Sequence, residues 1–349
     1  MNLVRVLNAK QERSLSFTEM DELLFLQIKS IYYPLISAVG VPVNLVAIVI
    51  LYRGKCGLSQ CITSYLLGMA ASDLLVVITD PLLRRSVAIY FADSFIFITP
   101  VCIVIYFSSV AATVVSVWLT VAFTVDRFVA ICCEKLKTKY CTKKTATVVI
   151  TTVSLLGCLE SVPWCFVKEP EYVINNVPWN CVTKQSFHTS PGWAALEMIH
   201  YILTPCIPFF LIFVFNVLTI RHISVASKVR RALRSKSYTD EHNDPEMKNR
   251  RKSVILLLSI SGSFILLWVL HIAYIIYRRI ADMLTYYTYT DSNFTIYGIS
   301  KMLQVLSTCT NTGIYVVTQS KFREELKNGV KYPFNLIIKL LSTVTRTHL

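Results

Sequence analysis

Seven long apolar stretches divide this chain, at about residues 28–52, 62–83, 98–131, 146–167, 195–220, 253–277 and 296–318. Each reaches the ~20 residues that a helix needs to cross the hydrocarbon of a bilayer. In hydrocarbon a backbone N–H or C=O has no water to bond, so a spanning segment is a helix or part of a closed barrel. A barrel strand needs only ~9–11 residues, and these runs are far longer. The fold expected is an all-α membrane protein, a seven-transmembrane helix bundle. Of 349 residues 54% are hydrophobic and only 16% are charged, which leaves no stretch for a separate soluble domain of ordinary size. The expected organisation is an extracellular N-terminal tail (1–27), a seven-helix domain (28–318) and a cytoplasmic segment (319–349).

Lys and Arg set the orientation, because short cytoplasmic loops carry an excess of them. With residue 1 outside, the inner loops and tail hold 24 of the 35 basic residues and the outer segments 10, with Lys301 inside the last span. The reading is an extracellular N-terminus, a cytosolic C-terminus and a multi-pass plasma-membrane protein. The net charge of +14 follows from this bias and from attraction to anionic membrane lipids. The charge lies in short loops beside the membrane, which argues against a nucleic-acid partner. The eleven Cys do not form a disulfide framework, since most lie in spans or on the reducing cytosolic side. Cys102 and Cys181 both fall on the outer side.

Several polar groups lie where they are costly. Asp126 and Arg127 end the third run, and Lys135, Lys137 and Lys139 follow at once. A charge at the membrane edge is a functional signal by default, here a cytosol-facing switch. An arginine snorkelling to the headgroups is the plain alternative. Deeper in the spans stand Asn44, Asp73, Ser116, Ser307 and Asn311. A buried carboxylate needs partners. Hydroxyl and amide oxygens around Asp73 would complete a hydrated monovalent-cation site, or the group is a polar knot joining helices at about 0.6 kcal/mol per contact. The outer halves of the spans carry Glu160, Glu197, His200, His271, Tyr274, Lys301, Arg84 and Arg85. Glu197 and Lys301 would suit the two ends of a zwitterion or a peptide terminus, or they pair with His271 or with each other.

The motifs then resemble, in order, those of class A (rhodopsin-like) G-protein-coupled receptors. Gly40-Val-Pro-Val-Asn44 resembles the first-helix Asn motif and Ser72-Asp73-Leu74-Leu75 the second-helix Asp. Asp126-Arg127-Phe128 resembles D-R-Y, Phe264-Ile-Leu-Leu-Trp268 the sixth-helix toggle, and Asn311-Thr-Gly-Ile-Tyr315 the N-P-x-x-Y spacing. Cys102, 25 residues before Arg127, matches the family's loop-clamping Cys, and the resemblance implies a disulfide with Cys181. Phe322-Arg323 fits the start of the family's short C-terminal amphipathic helix.

The resemblance implies a receptor, not an enzyme, that binds a small-molecule or peptide ligand and activates a heterotrimeric G protein. Asp126, Arg127, Phe128, Asn311, Tyr315, Trp268, Phe264 and Pro208 would form its switch. The pocket residues expected are Ser109, Glu197, His200, His271, Tyr274 and Lys301. A sodium ion at Asp73, Ser116, Ser307 and Asn311 is the one cofactor expected, with Asn44 as an outer partner. Ser109 stands where an amine receptor carries an acid, which argues against a monoamine. Leu119–Cys132 and Leu159–Pro163 look closest to an orphan-like branch, some of whose members sense aromatic amino acids; small-peptide receptors are also near. The competing class is a multi-pass transporter or channel, but the chain shows no repeated halves of the kind such folds carry.

The chain also departs from the pattern. Leu270 and Thr312 replace kink-forming prolines, Asn216 stands where Tyr is usual, and Arg250 stands where some members have an acid facing the D-R-Y arginine. Asn293-Phe-Thr295 is an outer-side glycosylation sequon.

Overall fold

A computed structural model of the chain describes residues 17–91, 93–234, 245–284 and 291–329. Within these, side chains at 17–23, 188, 229–234, 245–250, 279–284 and 291–294 are outside the description. Seven long helices follow one another: α1 (Phe17–Tyr52), α2 (Gln60–Tyr90), α3 (Thr99–Cys132), α4 (Lys143–Ser161), α5 in two parts (Pro191–Tyr201 and Ile207–Arg234), α6 (Pro245–Leu284) and α7 (Asp291–Thr318). A last helix, α8, covers residues 320–329. Helices α1 to α6 are long and apolar enough to cross a membrane. Helix α7 is more polar, and it turns Asn311 toward Asp73 of α2, where the cost of that amide is offset by a hydrogen bond. The elements outrun the apolar stretches at several ends, because a helix continues past the hydrocarbon wherever its residues allow.

Local chemistry sets the helix ends. The Ser59 hydroxyl accepts from the Ile62 N–H at the start of α2, and Thr142 does the same for Thr145 at the start of α4. At the other end of α7, the Arg323 Nη1 donates to the Val316 and Val317 carbonyls at 2.9 and 2.8 Å. That cation meets carbonyls left unpaired where the helix stops. Phe322 beside it is fully buried and packs edge-on to Tyr315 at 5.7 Å, so α8 is pinned under the bundle by its apolar face.

Proline effects fall where the sequence alone did not place them. Helices α6 and α7 run unbroken past Leu270 and Thr312, and the Thr312 hydroxyl donates to the Val43 carbonyl of α1. Two departures from α-geometry within the long helices fall at prolines: a π-helical turn at Ile78–Ser86, around Pro81, and a break at Ile202–Cys206, where Thr204 before Pro205 has non-helical φ and ψ of −146° and 99°. Each proline lacks the N–H that would close the regular ladder, and a wider turn at Pro81 and a kink at Pro205 absorb the loss. Pro208 lies just beyond, in the regular part of α5.

Packing is uneven along the bundle. The half of the bundle around the end of α3 is close-packed about Tyr65, Leu66, Met69, Leu119, Phe123, Leu257, Tyr315 and Phe322. Above it, Val117, Val121, Ile212, Phe264, Trp268 and Ile272 form a second cluster between α3, α5 and α6. The half toward the α4–α5 loop is hollow. Its roof is the loop between α4 and α5, where strands β1 (Lys168–Glu169) and β4 (Val182–Thr183) pair antiparallel, as do β2 (Tyr172–Ile174) and β3 (Val177–Trp179). Asn175 and Asn176 make the β2–β3 turn with φ of 50° and 63°, values that a two-residue hairpin turn requires and that Asn tolerates.

Candidate functional site

One cavity of about 490 Å³ runs from the β-roof to the middle of the bundle, from Lys168 and Phe187 at its mouth to Asp73, Ser116 and Asn311 at its foot. The broken segment of α5 contributes Thr204 and Pro205 to the wall, and the π-turn of α2 presents Asp80, Arg84 and Arg85 to it. Five of the six pocket residues expected from sequence border this space: Ser109, Glu197, His200, His271 and Lys301. Tyr274 does not; its ring packs 5.4 Å from that of Tyr297, which does.

Their partners differ from the pairing weighed from sequence. Lys301 Nζ donates to Gln304 Oε1 at 2.8 Å, one turn along its own helix. His271 Nδ1 lies 3.2 Å from the Ser300 hydroxyl, and His200 Nδ1 lies 3.0 Å from Glu160 Oε1. Tyr201 donates to Glu197 Oε1 at 3.1 Å. The strongest ion pairing on the wall was not anticipated. Asp80 accepts from Arg84 Nη1 at 2.9 Å and from Arg85 Nε at 3.1 Å. An acid followed four residues later by a base was the available signal.

At the foot of the cavity, Asp73 is 1% exposed. It accepts from Ser116 Oγ at 2.5 Å and from Asn311 Nδ2 at 2.8 Å. Trp268 stacks on Phe264 and donates from Nε1 to Ser307 Oγ at 3.1 Å. Ser307 thus joins the indole of α6 to the face of α7 that reaches Asp73. Asn44 stands behind this wall, donating to the Gly40 and Thr308 carbonyls, and does not border the cavity.

The end of the bundle away from the β-roof holds the acid–base pair. Arg127 folds back onto Asp126, with Nε 2.9 Å from Oδ2 and a second bond from Nη2. Both residues are buried, so this is not an arginine reaching for headgroups. Cys61 Sγ of α2 donates to Asp126 Oδ1 at 3.1 Å, and Cys141 Sγ lies 3.6 Å from its carbonyl. Burial, then the Asp126 charge, pushes the Cys141 thiol up to about 11, which keeps it a donor. From α6, Ser253 Oγ lies 3.4 Å from Arg127 Nη1. The Arg250 side chain, weighed from sequence as the facing group, is outside the described residues, as is that of Asn293. Phe128 packs on Phe215 of α5 at 5.2 Å. Asn216 also ties α5 to α6, accepting from Ser261 Oγ at 2.9 Å.

Over the mouth, Cys102 and Cys181 are joined in a disulfide, with Cα atoms 6.2 Å apart. It fastens the roof to the start of α3. Seven helices, hollow toward a disulfide-clamped roof and packed toward a buried Asp–Arg pair, define a heptahelical receptor. The family model described as 7 transmembrane receptor (rhodopsin family) matches residues 43–315, and the chain belongs to that family. It is a multi-pass receptor of the plasma membrane and not an enzyme.

Proposed function

We propose that this receptor binds a small extracellular ligand, amino-acid-like or a short peptide, and activates a heterotrimeric G protein. The carrying observation is the cavity itself, which is continuous from the outer roof to the Trp268–Ser307 contact. A ligand there would bias two packings of the bundle by binding one better than the other. Trp268 and Phe264 sit where such a bias would act on α6, and Asn311 and Tyr315 on α7. The basic inner loops favour an extracellular N-terminus and a cytosolic partner face. The test is second-messenger output in cells across several G-protein readouts, with a panel of amino acids and short peptides. A receptor at the surface that stays silent in every readout overturns the proposal, as does ligand-gated ion flux without second-messenger output.

The residues at Asp73 fit a monovalent cation. The carboxylate has no cationic side chain within ion-pair distance among the described residues, and the cavity reaches it. Ser116, Ser307 and Asn311 bring further oxygens to the same end. When bound, a sodium ion would supply the counter-charge that a buried carboxylate lacks. These groups meet in the packing described, so occupancy would favour that packing and lower agonist affinity. Asp73→Asn is expected to remove the sodium dependence of agonist affinity, read from competition binding with and without sodium. An unchanged dependence in the variant rules the site out.

A further inference from the structure

The walls of the outer cavity carry more positive charge than they neutralise. Asp80 is already engaged by both Arg84 and Arg85. Glu160 is bonded to His200, Glu197 accepts from Tyr201, and Asp73 lies at the far end with Ser116 and Asn311. Arg278 also lines the cavity, and two ammonium groups remain, Lys168 from the β-roof and Lys301 from α7. Each donates to a neutral oxygen, Thr183 Oγ1 and Gln304 Oε1, both at 2.8 Å, and neither has a carboxylate within ion-pair distance among the described residues. Lys168 and Arg84 also converge on one ring. The Lys168 Nζ lies 4.9 Å and the Arg84 Cζ 4.8 Å from the Tyr106 centroid. Like charges gathered in a partly desolvated space repel, and an anion between them relieves the cost.

We propose that this corner is an anion subsite, and that the ligand is a compact carboxylic acid whose carboxylate sits among Lys168, Arg84 and Lys301 beside Tyr106. The subsite is defined by its contacts to the carboxylate alone and does not require an ammonium group on the ligand. The acid rather than an inorganic anion is favoured by the walls below, where Trp164, Phe187, Trp268 and Val305 offer apolar surface to the remainder of the molecule. Burial, with the Arg84 charge second, holds the Lys168 ammonium down to about 8. A carboxylate beside it would raise that value again, so binding and protonation reinforce each other. The plain structural role of Lys168 is to staple β1 to β4 through Thr183, and the test is built to separate the two.

The inference rests on the ligand-binding reading above but needs no G protein to be tested. Full-length receptor in detergent is heated with 3-phenylpropanoate, with 3-phenylpropanamide, or with phosphate, at matched millimolar concentrations, and Tm is recorded. The acid is expected to raise Tm, and the amide and phosphate are not. Lys168→Gln keeps a donor for Thr183 and removes the charge. It should not lower Tm without ligand, since it also removes a repelled charge, and it should weaken the acid about tenfold, or about 1.4 kcal/mol. Lys301→Gln should act in the same direction. Equal stabilisation by acid and amide, stabilisation by phosphate alone, no stabilisation by the acid, or an acid effect unchanged in both variants overturns the proposal. Failure of G-protein output together with a selective acid shift would instead count against coupling and leave the subsite standing.

Discussion

Arg127→Ala is expected to abolish agonist-driven second-messenger output while ligand affinity changes by less than about threefold. The guanidinium lies near the C-terminal end of α3, outside the cavity lining, so a ligand in the cavity does not touch it. In the packing described it is held by Asp126 on one side and, among the described residues, by the Ser253 hydroxyl on the other. A hydroxyl contact of 3.4 Å across to α6 is far weaker than a buried ion pair would be. Among the described residues no ion pair clasps α3 to α6 at Arg127, and measurable basal output is expected, since ~1.4 kcal/mol shifts a two-state ratio tenfold. Ser253→Asp places a carboxylate against Arg127 and should lower basal output several-fold, and Arg250→Glu, one turn earlier, should act alike. Removing Arg127 also strands a buried carboxylate, which costs about 3–5 kcal/mol. Output must therefore be compared at matched surface expression, and Asp126→Asn with Arg127→Ala serves as the variant without the stranded charge. A silent wild type, or Ser253→Asp with basal output unchanged or raised, defeats the argument.

The spans were legible because hydrocarbon imposes length and polarity on every residue within them, and 62–83 or 98–131 can satisfy that demand only as helix. Motif spacing carried the Asp73, Arg127, Trp268 and Asn311 positions, since each sits on a helix whose register is fixed by the same apolar run. Pairings between helices were not legible. Nothing in the sequence says that Asn216 meets Ser261, that Cys61 reaches Asp126, or that Ser307 rather than a loop receives the Trp268 N–H. Those depend on rotation of one helix against another. The effects of the remaining prolines were not legible for a similar reason: Pro34 and Pro42 pass through α1 as helix, whereas Pro81 sits in a widened turn and Pro205 at a break. What a proline does depends on which neighbours can satisfy the freed carbonyl. Asp80 was overlooked although Arg84 and Arg85 were placed in the outer half of the same span, because only helix register, continuous to Tyr90, brings all three to one face.

Cys102→Ser is expected to remove most receptor from the cell surface, and Cys181→Ser to match it. The bond closes a separation of 79 residues, and loss of a native disulfide commonly costs about 2–5 kcal/mol. The roof is not held by the bond alone. The Asn180 N–H donates to the Phe97 carbonyl at 2.6 Å, and the Thr99 hydroxyl donates to the Asn180 carbonyl at 2.7 Å. Those short contacts seat the strand beside α3 only when the loop is already near, which the covalent link ensures. The two cysteines act as one unit, so the double variant should be no worse than either single one, the non-additivity expected of residues that share one interaction. Surface receptor is measured by labelling intact cells, and free thiols by mass mapping of folded protein. Thr99→Val, which removes a hydrogen bond but leaves the disulfide, should cost about 1 kcal/mol and keep expression near wild type. A free thiol at Cys102 or Cys181 in folded receptor, or additive losses in the double variant, would show that the roof is held some other way.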